Sequence, residues 1–159
     1  MILWRIASDS RTYTATDLSG GGAANSPGRW NELGQKVTYA SLTLSLAVLE
    51  TAAHIDDGGL PLNRYIIKIE VPDTVWGLVE TLDIATLGPT WSSIPAGHAS
   101  VTVGAAWIRA AASPLLLVPS VIVPEERAVL INPAHPQSAS ITASVHRPFH
   151  YHSLFRSGR

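Results

Sequence analysis

Apolar and polar positions change period along the chain, and the changes mark the elements. Ile2 to Ala7 is a short β-type run with Leu3 and Trp4 supplying bulk. Lys36 to Ala40 is again β-like, with Val37 and Tyr39 on one face and Thr38 on the other. A helix follows, N-capped by Ser41 or Thr43 and stopped at Gly58-Gly59. Leu42, Leu46, Leu49 and Ala53 form its expected buried stripe, bordered by Ala47, Glu50 and His54. Asn63 to Val71 alternates Tyr65, Ile67 and Ile69 against Ile66, Lys68 and Glu70, a strand with one wetter face.

Further on, Val75 to Thr81 is ambiguous, and Leu82 to Gly97 should be mostly irregular. His98 to Ala112 is helical, with Val101, Ala105, Ile108 and Ala112 inward and Trp107 and Arg109 off that face. Gly104 costs about 1 kcal/mol against alanine in a helix, so close backbone packing is its expected use. Leu115 to Val118 is apolar throughout, as in a central strand covered on both sides. Val121 to Pro124 is extended, Ala128 to Ile131 is a strand, and Ala139 to Val145 is a last strand before Pro148. Strands outnumber helices and do not alternate with them, which gives an α+β fold.

Leu18 to Gly28 carries four glycines, two alanines, Asn25 and Pro27, and is expected to be a loop. No GK[ST] follows its three consecutive glycines, so they are not a Walker loop or a dinucleotide fingerprint. Composition narrows the field further. A chain of 159 residues with 46% hydrophobic and 14% charged content is one packed domain, 1–159. Its net charge of −1 leaves no footprint for nucleic acid and opposes a ribonuclease. Zero cysteines exclude disulfides, thiolate metal sites and thiol nucleophiles. No apolar stretch approaches a membrane span and no basic leader precedes the first strand, so a cytoplasmic location is expected.

Chemistry concentrates between positions 28 and 50. Arg29 stands in a Gly/Asn-rich loop, Tyr39 ends a β-type run and Glu50 lies in the helix. A loop, a strand and a helix in succession fold back so that their tips converge. A guanidinium matches phosphate oxygens, although an isolated arginine more often holds a loop carbonyl. A tyrosine is either a core aromatic or a platform for a flat cationic ring. A carboxylate beside an apolar stripe can stabilise an oxocarbenium-like charge. Ser120 ends an apolar strand without the Gly-x-Ser-x-Gly turn of a serine nucleophile. Asn132 is a turn residue before proline or a polar lining group. His146, His150 and His152 share parity, but no carboxylate accompanies them, and no metal is expected.

The runs GGGAA, GRWNELGQKVTYASLTLSLAVLETAAH, LWRIA and VPSVIVPEERAVLINPAHP resemble the RES-domain toxins of bacterial toxin–antitoxin pairs, over about Trp4 to Phe149. The resemblance implies a split mixed β-sheet with flanking helices, as in ADP-ribosyltransferase toxins. It also implies an enzyme that consumes NAD+ by cleaving the nicotinamide–ribosyl bond. The ADP-ribosyl unit would go to a protein, water or phosphate. Glu50, Arg29, Tyr39 and Ser120 would carry the reaction. Arg29, Tyr39, Ser120, Asn132 and Trp30 would hold the dinucleotide. A helix-turn-helix, Xre-type antitoxin would block the site. A non-catalytic nucleotide- or peptide-binding module is the alternative.

Overall fold

A computed structural model describes residues 1–54 and 62–151. The strands are β1 (Ile2–Ala7), β2 (Thr38–Ser41), β3 (Arg64–Glu70), β4 (Glu80–Thr81), β5 (Leu115–Pro119), β6 (Arg127–Ile131) and β7 (Thr142–Phe149). They form one seven-stranded sheet in the order β4-β5-β6-β2-β1-β3-β7. Only β4 and β5 run parallel. The helices are α1 (Gly21–Asn25), α2 (Leu44–Ala52), α3 (Asp73–Trp76) and α4 (His98–Ala110). The fold is α+β, as the pattern indicated.

The sheet is almost two sheets. Six residue pairs join β1 to β3 and four join β2 to β6, but β1 meets β2 only at Trp4↔Ser41. Beyond that pair the two strands part, and the groove between the halves holds the site described below.

Alternation along the strands sorts the core. Leu115, Val129 and Ile131 join Leu3, Ile67 and Ile69 on one side. Leu116, Val118 and Leu130 pack on the other with Trp30, Val37, Trp107 and Ile108. Ile66 is also fully buried, packed with Ile6 and Ala47 where α2 crosses the sheet. The wetter face of β3 is therefore wet only at Lys68 and Glu70. Lys68 Nζ lies 2.7 Å from Glu70 Oε1, and this pair holds the Glu70 carboxyl below its ordinary range.

Several details depart from the pattern. The glycine run contains one helical turn, α1, which starts after Gly20 at φ 75°. A Cβ at Gly20 would run into the Val37 amide nitrogen, so chain crossing as well as φ demands glycine there. Thr43 is the cap of α2, accepting the Leu46 amide at 3.1 Å, while Ser41 belongs to β2. The buried pair on α2 is Leu46 and Ala47; Leu49 and Ala53 are exposed, so the stripe lies one position round from the expected one. The expected stop at Gly58-Gly59 lies outside the described residues.

In α4 the buried residues are Ser100, Gly104, Ala105, Trp107 and Ile108, with Ala112 exposed beyond the helix end. Gly104 is the cause: a Cβ there would collide with the Trp30 carbonyl oxygen and lie 2.8 Å from Trp30 Cβ. The helix turns that bare edge inward. Trp107 follows because its indole N–H donates to Ser113 Oγ at 2.8 Å, which satisfies the buried polar group. Val121–Pro124 forms bends rather than an extended strand. The last strand runs through Pro148, opposite Tyr65, because β7 is a sheet edge and needs no amide on its outer side.

Candidate active site

The groove where the sheet parts opens into a cleft of about 1060 Å³. Such a volume is at the upper end for small-molecule sites. Arg5 from β1, Arg29 and Trp30 from the following loop, Tyr39 from β2 and Glu50 from α2 all line it. The sequence-derived trio of loop, strand and helix thus shares one cavity. The Ile94-Pro95-Ala96 segment and Val121-Ile122 form its rim, with Ile94 85% exposed.

Glu50 sits on the face of α2 that follows Ala47, half-buried at the cleft wall. Ser120 Oγ donates to its Oε1 at 2.6 Å. The same Oγ accepts the amides of Ile122 and Val123, each at 3.1 Å. Ser120 is 1% exposed and lies behind the cleft wall, so it reaches the cavity only through Glu50. Among the described residues Glu50 Oε2 makes no protein hydrogen bond. Loop 120–126 is fastened to the start of α2 as well: Thr43 Oγ1 donates to Glu126 Oε2 at 3.0 Å. His54, one turn after Glu50, is exposed at the cleft, with Nδ1 2.7 Å from the Glu50 carbonyl oxygen.

Arg29 directs Nη1 at two carbonyl oxygens, Trp91 and Ser93, both at 2.9 Å. It therefore does hold a loop, the bland role for such a residue. One arm of the guanidinium does so, and no carboxylate lies within ion-pair distance of it among the described residues. Partial burial lowers its pKa, against the opposing fields of Glu50 and Tyr39.

Tyr39 is held at its hydroxyl, which accepts the Trp30 amide at 3.0 Å and donates to Asn31 Oδ1 at 2.8 Å. Burial pushes the phenol up to about 12, against the Trp30 hydrogen bond and the charge of Arg29. Trp30 is 3% exposed and stacked on Trp91 with ring centroids 6.4 Å apart. It touches the cleft as part of a core cluster more than as a free surface.

Asn132 lies elsewhere. Fully buried, it donates from Nδ2 to the Ile108 carbonyl at 2.9 Å and accepts the Ala134 amide at 3.0 Å on Oδ1. It ties the end of α4 to the turn after β6 and does not line the cleft. His146 stands edge-on to Trp4, ring centroids 5.4 Å apart, and His150 is exposed; His152 lies outside the described residues. No group of three metal-ligating side chains occurs among the described residues. No helix among them is long and apolar enough to cross a membrane.

Two site residues escaped the sequence reading. Arg5 is half-buried in the cleft wall, and desolvation lowers its pKa against the pull of Asp17 and Tyr13. Its Nη1 donates to the Asp17 carbonyl at 3.1 Å, whereas the Asp17 carboxylate binds the amide and hydroxyl of Ser19. A lone arginine inside an apolar strand was the available signal. Asn31, 1% exposed, bonds to five groups around the Arg29 loop.

Comparison with known proteins gives the family. The RES domain matches residues 2–152. The "Prs ADP-ribosylating toxin" of Sphingobium sp. (strain YBL2) is 51% identical over 148 residues, 93% of this chain and 92% of that protein. "Toxin Res" of Yersinia enterocolitica is 36% identical over 145 residues, 91% and 92% of the two chains. "Toxin Res" of Pseudomonas putida is 36% identical over 147 residues, 91% and 93%. The chain belongs to the RES-domain family.

Proposed function

We propose that this chain is a toxin that binds NAD+ as substrate and breaks its nicotinamide–ribosyl bond, passing ADP-ribose to a protein. The observation that carries the proposal is the cleft itself: two guanidiniums that make no ion pair among the described residues share it with one restrained carboxylate. Half-buried cations of that kind favour an anionic ligand, because a charge partly withdrawn from water is costly when unpaired. A pyrophosphate meets that need at Arg5 and Arg29. Glu50, with Oε2 free of protein hydrogen bonds, stands where a carboxylate can bind a ribose hydroxyl or face positive charge.

In this reaction the bond between ribose C1′ and the nicotinamide nitrogen breaks, and its electron pair neutralises the pyridinium. Glu50 stabilises the oxocarbenium-like sugar left behind. The Tyr39 ring flanks the departing nicotinamide. An acceptor lone pair then closes on C1′ and the acceptor gives up a proton. Water or phosphate can take the acceptor's place, which would drain NAD+ without modifying a protein.

The name of the Sphingobium relative makes Prs the first acceptor to try. By the same family likeness, an Xre-type antitoxin would cover the cleft, burying the exposed Ile94 and half-exposed Ile122 at its rim, and the toxin would act in the cytoplasm to arrest growth. Mass spectrometry of NAD+ incubated with the protein, purified Prs or cell lysate, with and without phosphate, tests the acceptor. A mass increase of ADP-ribose on Prs supports protein transfer. Free or phosphorylated ADP-ribose with Prs unmodified replaces that reading with NAD+ depletion.

A further inference from the structure

Arg29 and Tyr39 belong to different elements, yet one side chain binds the backbone of the first to the hydroxyl of the second. Asn31 Oδ1 accepts two hydrogen bonds, from the Gly28 amide at 2.9 Å and from the Tyr39 hydroxyl at 2.8 Å. Its Nδ2 donates to the carbonyls of Ala23, Glu32 and Gln35 at 2.9, 3.1 and 3.3 Å. The Tyr39 oxygen in turn accepts the Trp30 amide at 3.0 Å. The amides immediately before and after Arg29 are therefore both tied to the Asn31–Tyr39 pair.

The absence of a side chain at Gly28 permits this closure. A Cβ there would lie 2.7 Å from the Tyr39 hydroxyl and 2.8 Å from Cζ. The hydroxyl has one proton, given to Asn31, and its lone pairs face the Trp30 amide. It is committed to the protein, so what Tyr39 offers the cleft is its ring. A carboxylate in place of the Asn31 amide would face three carbonyl oxygens, and an alanine would leave all five partners without it.

We propose that Asn31 is the positioning residue of this site, holding the Arg29 guanidinium and the Tyr39 ring in one fixed relation. It acts through those two residues. The proposal rests on the NAD+ reading for what the ligand is, but the coupling itself is a property of the protein.

The test compares wild type, Tyr39→Phe, Asn31→Ala and the double variant, by nicotinamide release and by amide hydrogen exchange at Gly28 and Trp30. Tyr39→Phe keeps the ring and removes only the hydroxyl. It is expected to raise KM for NAD+ about tenfold, the scale of one lost buried hydrogen bond, with kcat falling by less than KM rises. Both amides should exchange faster. The double variant should match Asn31→Ala alone, since one coupled unit is broken only once.

Multiplicative losses in the double variant, or unchanged exchange in Tyr39→Phe, overturn the proposal. If Asn31→Ala does not fold, the exchange and the division between KM and kcat in Tyr39→Phe decide by themselves. Should wild type release no nicotinamide, the NAD+ reading fails while exchange still decides whether the Arg29 loop depends on the Tyr39 hydroxyl.

Discussion

Ser120 donates its only hydroxyl proton to Glu50 Oε1 across 2.6 Å, and its oxygen receives two backbone amides in return. The bond is short because the acceptor is charged. It also joins two parts of the chain that do not otherwise share an element, the last turn of α2 and the bend after β5. Ser120 has no proton left for a substrate. Its contribution is to fix one oxygen of the carboxylate while the other makes no hydrogen bond among the described residues.

Ser120→Ala therefore should leave substrate affinity close to wild type and lower kcat. A catalytic group displaced by about an ångström loses on the order of a hundredfold in rate. Steady-state kinetics of nicotinamide release would measure this. A raised KM with unchanged kcat would instead mean that the serine touches the ligand.

Gly104→Ala sets two effects against each other. Helix propensity favours alanine by about 1 kcal/mol in the middle of α4. Against this, the new methyl would collide with the Trp30 carbonyl oxygen and lie 2.7 Å from its carbonyl carbon, all backbone that cannot step aside. Overpacking of this kind costs about 1–3 kcal/mol or more. Net destabilisation in urea unfolding is expected, with the Trp30–Trp91 stack disturbed.

Tyr39 gives the protein an alkaline limit. Its ordinary pKa of 10.0 is raised to about 12 by burial. Below pH 10 folded and unfolded chains both carry the proton; between 10 and 12 only the folded chain keeps it. Unfolding then releases a proton, so stability falls as pH rises through that window, by roughly 2–3 kcal/mol in all. Tyr39→Phe should lose this part of the slope. Thermal unfolding from pH 8 to 11 compares the two, and parallel curves would show that the phenol titrates normally.

How much of this was legible in the chain depends on the range of the interaction. β1, β3, β5 and β6 could be read because their apolar runs are covered by neighbouring layers and need no further information. The two helix faces were read in part: Leu46, Ala105 and Ile108 are buried as expected, whereas Leu49, Ala53 and Ala112 are exposed and Trp107 turns inward. For α4 the cause is specific: Gly104 packs on Trp30, and Ser113 satisfies the Trp107 indole, neither of which a local period reports. That Arg29, Tyr39 and Glu50 line one cleft could be expected because loop, strand and helix follow at spacings that let them converge. Arg5 was hidden in a strand, and its importance comes from a sheet that parts one residue after the Trp4↔Ser41 pair. Asn31 was hidden by its neighbours, the more conspicuous Arg29 and Trp30.

The family resemblance implied a dinucleotide-holding role for Asn132, whereas its residue pattern also allowed a turn role, and its contacts are those of a turn residue. With Nδ2 on the Ile108 carbonyl and Oδ1 on the Ala134 amide, both ends of the carboxamide serve the fold. Asn132→Ala leaves the buried Ile108 carbonyl without this partner, while the Ala134 amide is at the surface, and should cost roughly 1–3 kcal/mol of stability. KM for NAD+ should not change in the protein that remains folded. A selective rise in KM at full stability would return Asn132 to the site.

Nicotinamide release from NAD+ by wild-type protein and by Glu50→Gln, with lysate supplied as a source of acceptors, bears most directly on the central claim. The wild type should release nicotinamide, and the variant, with its carboxylate made neutral but its shape kept, should fall by on the order of a hundredfold or more while melting within a few degrees of wild type. No release from wild-type protein, or equal release from Glu50→Gln, would contradict it.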